Sequence, residues 1–343
     1  SLKRMQNMVD NAPGITVPCP PSLAGAIGCT AGYSLLLTGS SPPSGKAFGW
    51  RPGNLNLDRK DTDFTPSVNM QWDMNDNVML YGSYTRGFKA GGFDQRNLSL
   101  NPVTGQFDPE AVDAYELGMK STLLDGNMQL NLAAFRSNYK KLQVSTFDGV
   151  INFLVNNAAS AISQGLETEV RWLLSDSFMF NASVAYLDAS WNDFSNAQCT
   201  AYGLATAPNA SCKMDGTSGL LVQDLSGADL LMAPAWSGNV SLDYFRPLGN
   251  GLALNSQLMV YFQDDKFLAA DNDPSAVQEA FSKVNLRVAL SSDSGWELAL
   301  VGRNLTNKLT SGHAEDLPLR SVNSFFRMTD RPRSVALQAQ YRW

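Results

Sequence analysis

The sequence predicts an all-β fold, an antiparallel transmembrane β-barrel of about 11–12 strands, and three observations carry that reading. Apolar residues make up 44% of the 343 and charged residues only 17%, yet no uninterrupted apolar run approaches the ~18 residues of a spanning helix. Apolar and polar side chains alternate along many segments, and on a strand such alternation puts the two kinds on opposite faces. The connections between those segments are by turns very short and very long, as they are in outer-membrane barrels.

The first clear strand starts at Phe64, where Phe64, Pro66, Val68, Met70, Trp72 and Met74 form a greasy face against Thr65, Ser67, Asn69, Gln71 and Asp73. Weaker alternation runs from Met128 to Ala134. Leu166, Val170, Trp172 and Leu174 then face away from Glu167, Glu169 and Arg171, and Phe178 to Tyr186 follows. Pro234, Trp236, Gly238, Val240, Leu242 and Tyr244 oppose Ser237, Asn239, Ser241 and Asp243. After Leu252 to Phe262 come Val284, Leu286, Val288 and Leu290, set against Lys283, Asn285 and Arg287, and then Trp296 to Leu300. The last strand carries Val335, Leu337, Ala339, Tyr341 and the terminal Trp343. Counting back from the C-terminus gives about eleven strands, with residues 1 to 9 as a candidate partial one. Strands of about ten residues exceed the usual five or six, and aromatics sit near the ends of the greasy faces. Both points favour a membrane barrel over a water-soluble sandwich.

Short connections fall at Asn75-Asp76, Leu124-Asp125-Gly126, Ser175-Asp176, Leu248 to Gly251 and Ser292 to Gly295, all turn chemistry. Long ones span 10 to 60, 88 to 109, 188 to 233, 263 to 280 and 304 to 330. If the last strand runs down to the periplasm, every long connection is extracellular, with 10–60 and 188–233 the two largest loops. The cysteines lie in two close pairs within such loops, Cys19 with Cys29 and Cys199 with Cys212. Disulfides suit an exported protein, and the absence of CxxC spacing argues against zinc. The chain begins Ser-Leu-Lys-Arg with no apolar leader, so more sequence is expected upstream.

Four stretches, in order, resemble the barrels of TonB-dependent outer-membrane receptors. They are Tyr81-Gly82-Ser83-Tyr84-Thr85-Arg86-Gly87-Phe88-Lys89-Ala90-Gly91-Gly92; Asn156-Asn157-Ala158 leading to Ser163-Gln164-Gly165-Leu166-Glu167; Gly302-Arg303-Asn304-Leu305-Thr306-Asn307-Lys308; and the terminal Tyr341-Arg342-Trp343. The resemblance covers residues ~64 to 343. It implies the C-terminal part of a larger, 22-stranded barrel in the outer membrane of a Gram-negative bacterium, and residues 1–343 are then one partial barrel. The family's plug domain and TonB box are not recognisable here, so coupling to TonB is expected through an N-terminal part not in this chain. The implied function is energised uptake of a scarce bulky solute, such as a siderophore-bound metal. A passive porin-like channel is the alternative.

The chemistry agrees with a binding protein rather than an enzyme. There is one histidine, His313, and no phosphate loop, metalloprotease motif or nucleophile constellation. A net charge of -6 argues against nucleic acid as a partner. Membrane lipid and a bulky small molecule such as a metal chelate are the expected partners, and no cofactor or metal site is expected. The carboxylates around Asp264, Asp265, Asp271 and Asp273, and His313 with Glu315 and Asp316, read as surface acidity. The candidate ligand contacts are Arg86, Phe88, Lys89, Phe93 and Arg96, where cations and rings interleave in the loop after Thr85. The competing reading of these residues is ordinary loop solvation, or, for Arg86, charge balance on the lumen wall. A mixed-sign set that includes Glu116, Lys120, Glu167, Glu169, Arg171, Arg287 and Glu297 is expected to line the lumen.

Overall fold

The computed structural model describes the short strands Thr16–Pro18 and Ser34–Leu36 and residues 58–94, 106–147, 153–157, 160–200, 212–214, 221–316 and 325–343. The chain divides into two units, Ser1–Asn56 and Leu57–Trp343. In the first, Thr16–Pro18 pairs antiparallel with Ser34–Leu36. Cys19, Cys29 and the candidate strand at 1 to 9 lie outside the described residues.

The second unit is an antiparallel meander of eleven strands: β1 (Ser67–Asn75), β2 (Val78–Lys89), β3 (Glu110–Leu123), β4 (Met128–Lys140), β5 (Ser160–Ser175), β6 (Phe178–Asp193), β7 (Trp236–Gly249), β8 (Leu252–Gln263), β9 (Phe281–Ser292), β10 (Trp296–Arg303) and β11 (Ser334–Tyr341). Each strand pairs with its neighbours in sequence. Among the described residues β1 and β11 do not pair with each other, so the sheet is curved wall and not a closed barrel. β1 begins at Ser67, later than the alternation from Phe64 suggests, and β6 runs on to Asp193, inside the stretch read as the loop 188–233.

Turn chemistry sets the short connections. The Asn75 side chain accepts from the Asn77 amide at 2.9 Å. Leu124, Asp125 and Gly126 take φ of 53°, 54° and 90°, the left-handed pattern whose twist matches that of the flanking strands. All five short turns therefore lie at one end of the sheet, and the connections from β2 to β3, β6 to β7, β8 to β9 and β10 to β11 at the other. The connection between β4 and β5, absent from the sequence reading, also lies at the long-loop end. It holds a hairpin of Gln143–Phe147 with Phe153–Asn157.

The register fixes the tilt. One line of paired residues runs Leu123, Met128, Trp172, Phe180, Leu242, Leu258, Leu286, Gly302, Val335. It starts at the turn end of β3 and finishes near the loop end of β11. The stagger is close to one residue per strand, which with ~3.3 Å per residue and ~4.8 Å between strands gives a tilt of roughly 30–35°.

Alternation then decides what each face meets. The outer face carries Leu117 and Leu337, 69% and 78% exposed, whereas the buried apolar residues of the strands include alanines such as Ala289 and Ala299. A continuous surface of exposed Leu, Met and Trp is unstable in water and is what hydrocarbon requires. Paired rings edge this surface: Tyr84 with Tyr115 at 5.1 Å and Tyr186 with Trp236 at 5.0 Å toward the loops, Phe178 with Tyr244 at 4.7 Å toward the turns. The inner face is polar and tied across strands. Tyr81 donates to Glu116 at 2.6 Å, and Asn181 and Gln257 both donate to Asp243 at 2.7 Å. Gly165 is required by this packing, since a Cβ there lies 2.1 Å from the Tyr186 carbonyl and 3.1 Å from the Phe135 ring.

Candidate functional site

The site the fold offers is the long-loop end, where the long connections gather. Its β2–β5 side is held together by charge. Arg59 binds Asp61 through Nε at 2.8 Å and donates Nη1 to the Phe107 carbonyl at 2.9 Å. Asp61 in turn accepts from the Gly91 amide at 3.0 Å. These bonds hold the hairpin of Gly92–Phe93 with Gln106–Phe107 over the end of β2. Asn157 joins the next loop to it: its Oδ1 accepts from the Asp108 amide at 2.6 Å, and its Nδ2 donates to the carbonyls of Asp108 and Lys141, each at 2.8 Å. The Asp108 carboxyl, bound by Lys141 at 3.0 Å and by Arg59 at 3.3 Å, is held below the usual carboxylate range, chiefly by the hydrogen bond from Lys141.

The other side is held together by small apolar clusters. Trp191, Phe194, Ala161, Ala197 and Leu225 pack above the inner end of β5 and β6, with Tyr139, Leu142 and Val144 against them. Burying two such rings is worth roughly 3–6 kcal/mol. Cys199, 2% exposed, is disulfide-bonded to Cys212 beside this cluster, with Cα atoms 5.8 Å apart. Leu268, Ala276 and Ala314 make a second cluster between the β8–β9 and β10–β11 loops. Gln223 donates to the Asp271 carbonyl at 2.8 Å, and Asn272 to the Asp229 carbonyl at 3.0 Å. Three loops thus form one connected rim.

Below that rim the inner wall presents Tyr261 and Phe281, rings 5.8 Å apart, with the Lys283 ammonium 5.3 Å from the Phe281 centroid. Lys283 donates to Thr310 at 2.7 Å and pairs with Asp330 at 3.2 Å. The Thr310 hydroxyl and then Lys283 hold the Asp330 carboxyl below its ordinary range, while burial pushes the nearby Lys266 down. The sequence reading set Lys283 on the polar, lumen-facing side but did not gather the group, because its members come from β8, β9 and two loops.

The five candidate ligand residues do not converge. Arg86 and Phe88 have the parity of Tyr84 and so lie on the outer face, which overturns the reading of Arg86 as a lumen-wall charge. Arg86 pairs with Asp63 at 3.1 Å and Asp113 at 3.4 Å. Lys89 points to the opposite face and lies 3.6 Å from Glu110. Phe93 sits in the hairpin past the strand, and Arg96 lies outside the described residues. A strand inverts the side of each successive residue, so adjacency in sequence separated what a loop would have gathered. Among the described residues no cluster of His, Cys, Asp and Glu is placed to hold a metal ion.

The family model described as "TonB dependent receptor-like, beta-barrel" matches residues 41–305. The chain is 27% identical over 156 residues to the ferric-pyoverdine BN7/BN8 receptor of Pseudomonas putida, covering 45% of this chain and 18% of that protein. It is 32% identical over 126 residues to the metal-pseudopaline receptor CntO of Pseudomonas aeruginosa, covering 36% and 16%. Its fold resembles the ferric yersiniabactin uptake receptor FyuA of Yersinia pestis at a TM-score of 0.59 and 14% identity, covering 81% of this chain and 37% of that one. It resembles the siderophore receptor PiuA of Acinetobacter baumannii at 0.58 and 17%, covering 81% and 35%. The chain therefore spans less than a fifth of these two curated relatives and just over a third of these two solved receptors.

Proposed function

Because this chain belongs to the TonB-dependent receptor β-barrel family, a family of outer-membrane transport receptors, we propose that it forms part of the wall and mouth of a receptor for a metal chelate, taken up with energy supplied through TonB. The observation that carries this reading is the family match over 41–305, joined to a loop end built as a connected rim. Relatives named as ferric-pyoverdine and metal-pseudopaline receptors support the solute class. In this reading the loops, among them 10–60 and 188–233, face the outside and hold the solute. Lys89, Phe93 and Arg96 remain contacts for it, whereas Arg86 and Phe88, on the outer face, are set aside. Tyr261, Phe281 and Lys283 add rings and a cation beneath them, suited to an anionic, partly aromatic chelate.

Uptake of radiolabelled ferric chelates by cells producing the receptor that contains this chain tests the proposal. Accumulation that stops when the proton-motive force is collapsed supports it. Uptake that continues unchanged identifies a passive channel and overturns it.

A further inference from the structure

We propose that the outer face of β3, β4 and β5 carries a binding site for the phosphorylated headgroup of a membrane lipid in the outward leaflet, centred on Arg136 and Lys140. One register row on that face runs Tyr84, Tyr115, Arg136, Gln164, Asp188. The row below it, toward the turns, runs Gly82, Leu117, Ala134, Leu166, Tyr186, Trp236. Rows climb toward the loops with increasing strand number, so Tyr84, Tyr115, Tyr186 and Trp236 stand at similar height and Arg136 stands within their belt, above Tyr84 and Tyr115 and level with Tyr186. Ring belts of this kind mark the level at which hydrocarbon gives way to headgroups. Lys140 lies two rows higher on the same strand, beyond Asn138.

The partners of Arg136 define what is missing. Its Nε donates to Asn138 at 3.1 Å and its Nη1 to Gln164 at 2.9 Å, both neutral amides. Among the described residues it has no carboxylate, whereas Arg86 has two. The amides orient the guanidinium without neutralising it, at a depth where an uncompensated charge is costly. Lys140 is 63% exposed and 2.9 Å from Asp113, which it shares with Arg86. A phosphate supplies the missing charge and matches the guanidinium fork. Free phosphate fits the cation equally well, but the apolar surface directly below fits only a lipid. There Leu117, Leu132 and Leu166 are exposed beneath the cation, where an acyl chain continuous with the headgroup lies.

The test places the receptor that contains this chain in phosphatidylcholine nanodiscs containing a minor fraction of phosphatidic acid, and native mass spectrometry counts phosphatidic acid retained per receptor. Arg136→Gln with Lys140→Gln is expected to lower retention about ten-fold, the equivalent of one charge-assisted contact. Arg136→Lys should restore most of the retention, and Arg171→Gln on the inner face should leave it unchanged. Equal retention by the double variant and the parent overturns the proposal, as does equal loss in Arg171→Gln. Displacement of the lipid by inorganic phosphate at equal concentration would mean a free-anion site, and it also overturns the proposal. None of these readouts depends on chelate uptake.

Discussion

Replacing Val240 with arginine tests the membrane reading through depth and parity together. Val240 lies on the outer face of β7, midway between Trp236 and Tyr244, which contact Tyr186 and Phe178 in the two ring belts. At ~3.3 Å per residue and a tilt of roughly 30–35°, each belt is about 11 Å away in depth, which puts Val240 at the midplane. Arginine there is expected to cost about 2–4 kcal/mol, falling to ~0–1 at an interface. That cost is roughly a 30- to 700-fold change in the folding equilibrium. Asn239→Arg moves the same charge one residue along to the polar wall and should cost under ~0.5 kcal/mol. Tyr244→Arg should fall between the two, mainly through loss of the Phe178 contact, at about 0.5–1.5 kcal/mol. Guanidinium unfolding of the receptor that contains this chain, in phosphatidylcholine vesicles and followed by tryptophan fluorescence, measures all three. Equal costs for Val240→Arg and Asn239→Arg would refute the assignment of faces.

Three further outcomes follow from the loop end and the edges. Asn157→Ala removes two hydrogen bonds between two loops and one within the second, and should cost about 2–3 kcal/mol locally, seen as faster amide exchange at Asp108 with β3 to β8 unchanged. The depressed Asp330 carboxyl contributes stability that is present above its unfolded value and lost as pH falls through the folded one. Asp330→Asn should therefore be less stable than the parent at pH 7, with the gap closing below about pH 3–4 in a series of unfolding midpoints. The outer edges of β1 and β11, unpaired among the described residues, leave backbone groups that hydrocarbon cannot satisfy. The isolated chain should then associate edge to edge or aggregate, and a monomer that melts cooperatively and shifts on a gel when heated would count against that.

Most of the wall was legible because period two is a local property. Trp72, Val170, Leu242 and Leu337 announce their face from their immediate neighbours, and turn chemistry at Leu124-Asp125-Gly126 or Asn250 closes each hairpin. The four family-like stretches were legible as strings, and for two of them the reason is structural. Asn157 is a bridge between loops. Asn304, at φ 50° and 5% exposed, closes the end of β10 by donating to the Lys308 carbonyl at 2.9 Å and accepting from the Lys308 amide at 3.0 Å. Neither residue needs a ligand to account for its place.

The rim was not legible, and the physical reason is stagger. Residues that meet at the mouth come from strands offset by close to one residue each, so side chains at one height carry unrelated sequence numbers. Tyr115 and Arg136 share a row, yet nothing between them in sequence marks the pairing. Arg86 and Lys89 look like neighbours in the same loop, yet the pleat sends them to opposite faces, one toward lipid and one toward the lumen. A reading of this fold from sequence can therefore assign each residue a face from parity alone. It can assign a height only after the register is known, and the register depends on turns and bulges, such as those after Asp73 and Leu173, that shift the count by single residues.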